Sequence, residues 1–130
     1  MKTRKLIFMV DDDQFINKLI VRKFTSDEYA VEAFEFGEDC LQALDRNPDL
    51  VILDYFFVKG DVKMMNGMEI FNRIKEINPA LPVIILSGQE KGEIVLELAR
   101  KGISDYIIKD NNLIDNLQVA INELYNGGKK

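Results

Sequence analysis

The amino-acid sequence predicts an α/β fold in which five parallel strands form a doubly wound sheet of order 2-1-3-4-5. Five short apolar runs alternate with segments of helical periodicity, which is the pattern of repeated strand–helix units. Strands one, three and four are almost continuously apolar, as expected at the centre of a sheet covered on both faces. In this order strands one and three lie side by side, where the direction of winding reverses.

The first two units are read from their apolar positions. Strand one is predicted over Leu6–Val10, and strand two over Tyr29–Phe34. Strand two carries Glu32 and is less apolar, as an edge strand would be. Helix two ends at the pair Asn47-Pro48. The helical positions are Phe15, Ile16, Leu19, Ile20 and Phe24 in helix one, and Cys40, Leu41, Ala43 and Leu44 in helix two.

The last three units follow the same pattern. Strands three, four and five are predicted over Leu50–Leu53, Val83–Leu86 and Tyr106–Ile108. Helix three ends before Pro79, and Gly102 is placed as the C-terminal glycine of helix four. The helical positions are Ile70, Phe71, Ile74 and Ile77, then Ile94, Val95, Leu98 and Ala99, then Leu113, Leu117, Ala120, Ile121 and Leu124.

Length and composition limit the class of protein. The 130 residues predict one domain over 1–126, followed by a flexible tail over 127–130. A net charge of −5 argues against direct binding of nucleic acid. The chain has no His, which excludes a Ser-His-Asp triad and argues against zinc catalysis. Cys40 is the only cysteine, so it forms no intramolecular disulfide and is interpreted as a small buried hydrophobe.

No part of the sequence has the pattern of a membrane segment. The apolar run after Lys5 is shorter than the roughly 7–15 residues of a signal peptide core. No stretch approaches the ~20 apolar residues of a membrane span. We therefore expect a cytoplasmic protein without membrane contact.

Polar residues follow four of the apolar runs at the point where each run ends. They are Asp11 and Asp12 after strand one, Asp54 after strand three, Ser87 after strand four and Lys109 after strand five. The carboxyl ends of parallel strands meet at one edge of the sheet, where open α/β folds bind ligands. Carboxylate oxygens select Mg²⁺ or Mn²⁺, while a hydroxyl and an ammonium suit phosphoryl oxygens. The set therefore predicts a divalent metal together with a phosphoryl group.

Each of these residues also has an ordinary structural interpretation. Asp13 is best explained as the N-terminal cap of helix one. A strand-end Asp54 can simply turn the chain, a strand-end Lys109 is usually solvated, and Ser87-Gly88 can be a turn. The functional interpretation depends on their convergence. Neither a Walker-type phosphate loop nor a dinucleotide-binding glycine motif is present, which disfavours a nucleotide cofactor.

Asp11-Asp12, Asp54, Ser87 and Lys109, in this order and spacing, resemble the receiver domain of two-component response regulators. The resemblance extends from about Lys5 to Tyr125. It implies a flavodoxin-like (βα)5 fold and a Mg²⁺-dependent transfer of a phosphoryl group to Asp54. The donor would be a histidine kinase or a phosphotransfer protein.

The resemblance also implies individual roles. The metal would be held by the carboxylates of Asp11, Asp12 and Asp54 and by the backbone carbonyl of Phe56, and Lys109 would pair with the phosphoryl group. The remaining roles fall to Ser87 and Tyr106 as the conformational switch pair, and to Phe56 and Gln89 as residues that tune dephosphorylation. An apolar residue at position 56 predicts slow autodephosphorylation.

Three features depart from the family pattern. The loop from Tyr55 to Met64 is about five residues longer than usual and lacks proline; Met65-Asn66-Gly67 aligns with the motif that normally follows it. Asp110 stands where many members have proline, and Ser87 replaces the commoner threonine.

The resulting functional hypothesis is a signalling switch that catalyses only its own phosphoryl transfer and dephosphorylation. Its output would be a protein contact through the face formed by helix four, strand five and helix five. The partners would be a kinase, a downstream protein target and, through the charged face of helix four, a second copy on phosphorylation. The alternatives are a phosphorylation-independent binding module and a Mg²⁺-dependent phosphohydrolase. The latter is disfavoured because Phe56 stands where such enzymes carry an acid.

Overall fold

A computed structural model of the chain describes residues 4–55, 67–88 and 92–126, and these ranges contain one five-stranded parallel sheet of order β2-β1-β3-β4-β5. The predicted fold class and strand order are therefore confirmed. The elements are β1 (Lys5–Val10), α1 (Gln14–Phe24), β2 (Tyr29–Phe34), α2 (Gly37–Gln42), a 3₁₀ turn (Ala43–Arg46), β3 (Leu50–Asp54), α3 (Gly67–Ile77), β4 (Val83–Ser87), α4 (Gly92–Arg100), β5 (Asp105–Ile108) and α5 (Leu113–Asn126).

The helices cover both faces of the sheet because the central strands are apolar on both sides. On one face α1 and α5 pack against alternate strand residues such as Met9 and Ile52. On the other face α2, α3 and α4 pack against the intervening residues, such as Phe8 and Leu53. All five residues of β3 and of β4 are buried. These two strands therefore form the rigid centre of the sheet.

The register of the strands aligns their carboxyl ends. Val10 of β1 lies opposite Leu53 of β3, so Asp11 emerges next to Asp54. Asp54 in turn lies opposite Leu86, and Ser87 lies opposite Ile108. Four strands thus end within about one residue of a common line, as predicted.

The edge position predicted for β2 is also confirmed, since this strand pairs only with β1 among the described strands. Every residue of β2 is partly buried. Glu32 accepts a hydrogen bond from Arg46 at 2.6 Å, and this contact with the guanidinium lowers the pKa of the Glu32 carboxyl. Glu32, the polar residue on which the edge position was predicted, therefore forms an exposed ion pair beside the outer strand.

Helix α1 differs from its prediction in which side chains it buries. Phe15, assigned to the apolar face, is 72% exposed, whereas Asn17 is only 2% exposed. The inward positions are in fact Asn17, Ile20 and Phe24, which are three and four residues apart. Similarly, Ile77 at the end of α3 is 54% exposed, because the helix ends there and leaves the core.

The chain leaves the helical conformation after α2 and after α4 at the residues that the sequence predicts as stops, Asn47 and Gly102. After α2 the chain tightens into the 3₁₀ turn and stops at Asn47, whose φ of 57° is left-handed. Beyond α4, the N–H of Gly102 donates to Ala99 and that of Ile103 donates to Leu98. These two bonds form a Schellman motif, with Gly102 at a φ of 92°.

No described helix is long and apolar enough to cross a membrane. Phe56, Gln89, most of the extended loop and the tail over 127–130 lie outside the described residues.

Replacing Gly102 with Ala should lower the free energy of unfolding by about 1–2 kcal/mol, because an L side chain rarely adopts a φ of 92°. A Cβ there would meet no atom within 4 Å, so the cost is conformational alone. Urea unfolding measures it. Gly88→Ala is the matched control, because its Cβ also meets open space without a left-handed φ. Equal stability of the two variants would contradict the assignment.

Candidate functional site

The carboxyl edge of the sheet brings a lysine between two buried carboxylates. The Nζ atom of Lys109 lies 2.7 Å from Oδ2 of Asp11 and 2.8 Å from Oδ1 of Asp54. Asp11 is fully buried and Asp54 is 4% exposed. Lys109 is held at this position from below, since its backbone N–H donates to the carbonyl of Ser87 at 2.8 Å. Three residues that are far apart in sequence thus form one ionic cluster.

Burial and charge set the protonation of this cluster. Burial raises the pKa of Asp54 to about 6; Lys109 opposes this, and the negative charges of Asp11 and Asp12 add to it. Burial also raises the pKa of Asp11, against the hydrogen bond from Lys109. Burial lowers the pKa of Lys109, but its two carboxylate partners outweigh this and the net shift is upward. The cluster therefore holds more negative charge than one ammonium can neutralise, which favours a further cation.

The third carboxylate of the cluster belongs to Asp12. One carboxylate oxygen from each of Asp11, Asp12 and Asp54 lies within 4.8 Å of the others. Asp12 is exposed, so the site opens to solvent on its side. Carboxylate oxygens are the hard donors that Mg²⁺ prefers, and the open side at Asp12 leaves room for the waters that Mg²⁺ retains. The donor set therefore fits the predicted metal.

Asp11 is fixed through its backbone as well as its side chain. Its N–H donates to the carbonyl of Phe34 at 3.1 Å, and its Oδ1 accepts from the N–H of Asp13 at 2.9 Å. Its carbonyl accepts from the side-chain nitrogen of Asn17 at 2.6 Å. The start of the β1–α1 loop is consequently rigid.

Asp13 is the N-terminal cap of α1, as the sequence interpretation held. Its Oδ1 accepts from the N–H groups of Phe15 at 2.9 Å and Ile16 at 3.4 Å. These bonds satisfy two donors that the first turn of a helix leaves without partners. The run of three acidic residues therefore divides into two that face the site and one that starts the helix.

Ser87 and Tyr106 lie on the neighbouring strands β4 and β5. Ser87 is the last residue of β4 and is 5% exposed. Tyr106 pairs with Ile85 in the sheet register and packs, partly buried, against the core on the α4 side. Ser87 thus lies at the end of the sheet that carries the ionic cluster, whereas Tyr106 lies two residues before that end, as the second residue of β5. Their roles as a switch pair, like those of Phe56 and Gln89, stay predictions.

The turn after β5 explains the departure from proline at position 110. The N–H of Asp110 donates to the carbonyl of Ile108 at 3.0 Å, a bond that proline could not make. Its side chain accepts from the N–H of Asn112 at 2.8 Å, and its carbonyl accepts from Leu113. Asp110 therefore builds the turn that leads from Lys109 into α5.

Three residues near the site were not identified as functional from the sequence. Tyr55 follows Asp54 and is 8% exposed; burial, followed by the charge of Glu97, raises the pKa of its hydroxyl. Gly67 starts α3 against Tyr55. The third is Asn17. It could have been identified from the sequence, because it is a polar residue three and seven positions before the apolar Ile20 and Phe24 of the inward face of α1.

Comparison with known proteins adds a family to this geometry. A model of the response regulator receiver domain family matches residues 7–122. The transcriptional regulatory protein GlrR of Escherichia coli (strain K12) is 32% identical over 106 residues, which cover 79% of this chain and 22% of GlrR. The chain thus spans about a fifth of that curated relative.

Two solved structures share the fold. The response regulator DrrB of Thermotoga maritima superposes with a TM-score of 0.79 at 30% identity, covering 95% of this chain and 54% of DrrB. One chain of a CheX–CheY–BeF₃–Mg²⁺ complex from Borrelia burgdorferi superposes with a TM-score of 0.79 at 25% identity, covering 93% of this chain and 89% of that chain.

Replacing Gly67 with Ala should lower the free energy of unfolding by about 1–3 kcal/mol, because the new Cβ would overlap a neighbouring backbone. It would lie 2.9 Å from Cα of Tyr55 and 3.3 Å from the carbonyl oxygen of Asp54. Urea unfolding, again with Gly88→Ala as control, measures the effect. A neutral result would show that α3 can move away from the acidic strand end without cost.

Asp54→Asn should raise the free energy of unfolding of the metal-free protein at pH 7.5 by about 1–3 kcal/mol. The pKa of Asp54 is about 6 in the folded state and near 4 when unfolded, so the folded state binds the proton more tightly and loses stability as the pH rises from 4 to 6. Asparagine removes this cost. The gain should shrink in urea titrations repeated at pH 5.

The control for this measurement is Asp27→Asn, which neutralises an exposed aspartate away from the cluster. It should leave stability within about 0.5 kcal/mol at both pH values. A loss of stability in Asp54→Asn at pH 7.5 would show that the ion pair with Lys109 outweighs burial.

Proposed function

The chain belongs to the response regulator receiver family, and from that premise we propose that it is a phosphorylation-dependent switch whose acceptor is the Asp54 carboxylate. The observation that carries the proposal is the position of the Lys109 ammonium between the buried carboxylates of Asp11 and Asp54. In this proposal the edge of the sheet would supply a nucleophilic oxygen from Asp54, carboxylates that bind a metal and the Lys109 ammonium that binds phosphate. The donor we infer is a phosphohistidine of a histidine kinase or a phosphotransfer protein.

Asp54 suits the role of acceptor because of where β3 delivers it. It ends a fully buried strand at the centre of the sheet, so its position is fixed by the fold. In the proposed reaction the bond between the donor nitrogen and phosphorus breaks while a bond from an Asp54 oxygen to phosphorus forms. The carboxylate must be ionised to attack, and a neighbouring cation favours that form.

Asp11, Asp12 and Asp54 would hold the divalent cation, with Mg²⁺ preferred and Mn²⁺ as an alternative. Bound there, the cation would neutralise charge on the phosphoryl oxygens during transfer. The presence of Mg²⁺ in the Borrelia burgdorferi complex supports this choice. The backbone carbonyl of Phe56 stays a proposed further ligand.

Lys109 would exchange one anionic partner for another on phosphorylation. Its Nζ already lies on Oδ1 of Asp54, so a phosphoryl group on that carboxylate would come within its reach. Its raised pKa, which its carboxylate partners sustain against burial, keeps it a cation at physiological pH. The ammonium would then stabilise the phosphoryl oxygens as a point charge.

We propose that the signal leaves through the face formed by α4, β5 and α5. A phosphoryl group adds about −1.5 to −2 charges and new acceptor atoms, to which the Ser87 hydroxyl would turn. Tyr106 would follow into the space beside β4. The contact through this face, with a downstream target or with a second copy, would cover Leu96 on α4 and Val119 on α5, which are 58% and 54% exposed.

Intact mass after incubation with acetyl phosphate tests the proposal. The wild-type protein should gain one phosphoryl group with Mg²⁺ and almost none with EDTA. Asp54→Asn should gain none, whereas Asp27→Asn should behave like the wild type. Slow loss of the group after removal of the donor would support the tuning role proposed for Phe56 and Gln89.

Phosphorylation of the Asp54→Asn variant at the wild-type level would contradict the assignment of the acceptor. No gain in folded wild-type protein, with acetyl phosphate and with a phosphorylated phosphotransfer protein, would overturn the switch in favour of a phosphorylation-independent binding module.

A further inference from the structure

Asn17 is a buried polar residue that the proposed chemistry does not use. The buried polar or charged side chains among the described residues are Asp11, Asn17, Asp54 and Ser87. Three of these belong to the site. Asn17 lies instead on the inward face of α1, in line with the apolar residues Ile20 and Phe24. A polar group at such a position costs stability unless its hydrogen bonds are satisfied.

The side-chain nitrogen of Asn17 faces two backbone carbonyls. It donates to the carbonyl of Asp11 at 2.6 Å and lies 3.4 Å from that of Phe34. Both neighbours are acceptors, so the orientation of the amide is determined by its surroundings. Phe34 ends β2 and also accepts the N–H of Asp11. Asn17 therefore ties α1 to the ends of two strands at the point where Asp11 begins the acidic loop.

The oxygen of the same amide, unlike its nitrogen, forms no hydrogen bond with the described residues. Oδ1 of Asn17 is buried without a hydrogen-bond partner in the part of the chain that the structure describes. An unsatisfied buried acceptor lowers stability. An apolar residue with the same branching would remove this unsatisfied oxygen but would leave the buried carbonyl of Asp11 without its donor. The two losses are of the same kind and offset each other, so stability alone does not single out asparagine at this position.

We propose that Asn17 is a positioning residue for the Mg²⁺ site, an inference that rests on the proposed function. The carbonyl of Asp11 and the N–H of Asp12 belong to one rigid peptide plane. By fixing that carbonyl, Asn17 sets the plane and so the direction in which the Asp12 side chain leaves the backbone.

The exposure of Asp12 makes this anchor necessary. Asp11 is also held through its own carboxylate, by Lys109 and by the N–H of Asp13. Asp12 is exposed, and the structure records no side-chain hydrogen bond for it among the described residues. Its approach to the other carboxylates depends on the backbone. Residues behind the ligands of a metal commonly control affinity in this way.

Asn17→Leu tests the inference, because leucine has the same number and branching of side-chain heavy atoms as asparagine but removes the donor and the unsatisfied oxygen together. The Mg²⁺ dissociation constant, measured by calorimetry at pH 7.5, should rise about tenfold. The midpoint of urea unfolding without Mg²⁺ should change little, because the unsatisfied oxygen of Asn17 is exchanged for an unsatisfied carbonyl at Asp11. The amide resonances of Asp12 and Asp13 should shift in the metal-free protein, since the peptide plane is released.

Ile20→Val is the matched control. It removes one buried methyl group one turn along the same face of α1. It should lower the urea midpoint while leaving Mg²⁺ affinity within twofold and the Asp12 amide unshifted. If Asn17→Leu fails to fold, Asn17→Ala provides the same loss of the donor and carries the same expectation for Mg²⁺ affinity and for the Asp12 amide resonance.

A variant at position 17 that is folded and binds Mg²⁺ within twofold of the wild type would overturn the inference. That outcome leaves the proposed function intact. Absence of Mg²⁺ binding in the wild-type protein would instead overturn the metal site, and the role of Asn17 with it.

Discussion

The contact of the Lys109 ammonium with two buried carboxylates is the interaction on which the site depends. Asp11 and Asp54 are both removed from water, and two such charges side by side would repel strongly without a cation. Lys109 lies within 3 Å of each. Lys109 compensates the negative charge of the two carboxylates only in part, since the pKa of Asp54 is still raised. The residual negative charge is the physical basis of the metal and phosphoryl binding that we propose for this site.

The parallel sheet tolerates this unfavourable concentration of charge because its stability comes from elsewhere in the molecule. Its strands are anchored by continuous apolar contacts on both faces, which stabilise the centre of the molecule independently of the site. In the fully buried strands β3 and β4 the one polar residue is the last residue of the strand. The helices that start there also offer backbone donors, as the N-terminal cap at Asp13 illustrates. Core and site are thus built from the same strands without sharing residues.

Much of this could be predicted from the sequence because strand ends and apolar runs are local signals. The order of the sheet and the convergence of Asp11, Asp54 and Lys109 followed from the alternation of elements and from polar residues placed directly after apolar ones. The inward face of α1 was predicted wrongly because the apolar Phe15 fits the helical period. Asn17 lies on the inward face but is polar, so the apolar pattern did not include it. Only the neighbouring carbonyls of Asp11 and Phe34 make asparagine suitable inside. The contact of Gly67 with Tyr55 likewise depends on tertiary packing that no local pattern encodes.

The two helical layers have a consequence for the order in which the molecule can form. The layer on one face joins α1, near the start of the chain, to α5, at its end. The counter-charge for Asp11 and Asp54 also comes late, since Lys109 follows the last strand. A ribosome therefore releases the two acids long before their cation. A nascent chain that stops short of β5 would expose apolar surface on the α5 side and carry uncompensated charge at the strand ends. Folding to the native state is thus coupled to the synthesis of β5 and α5.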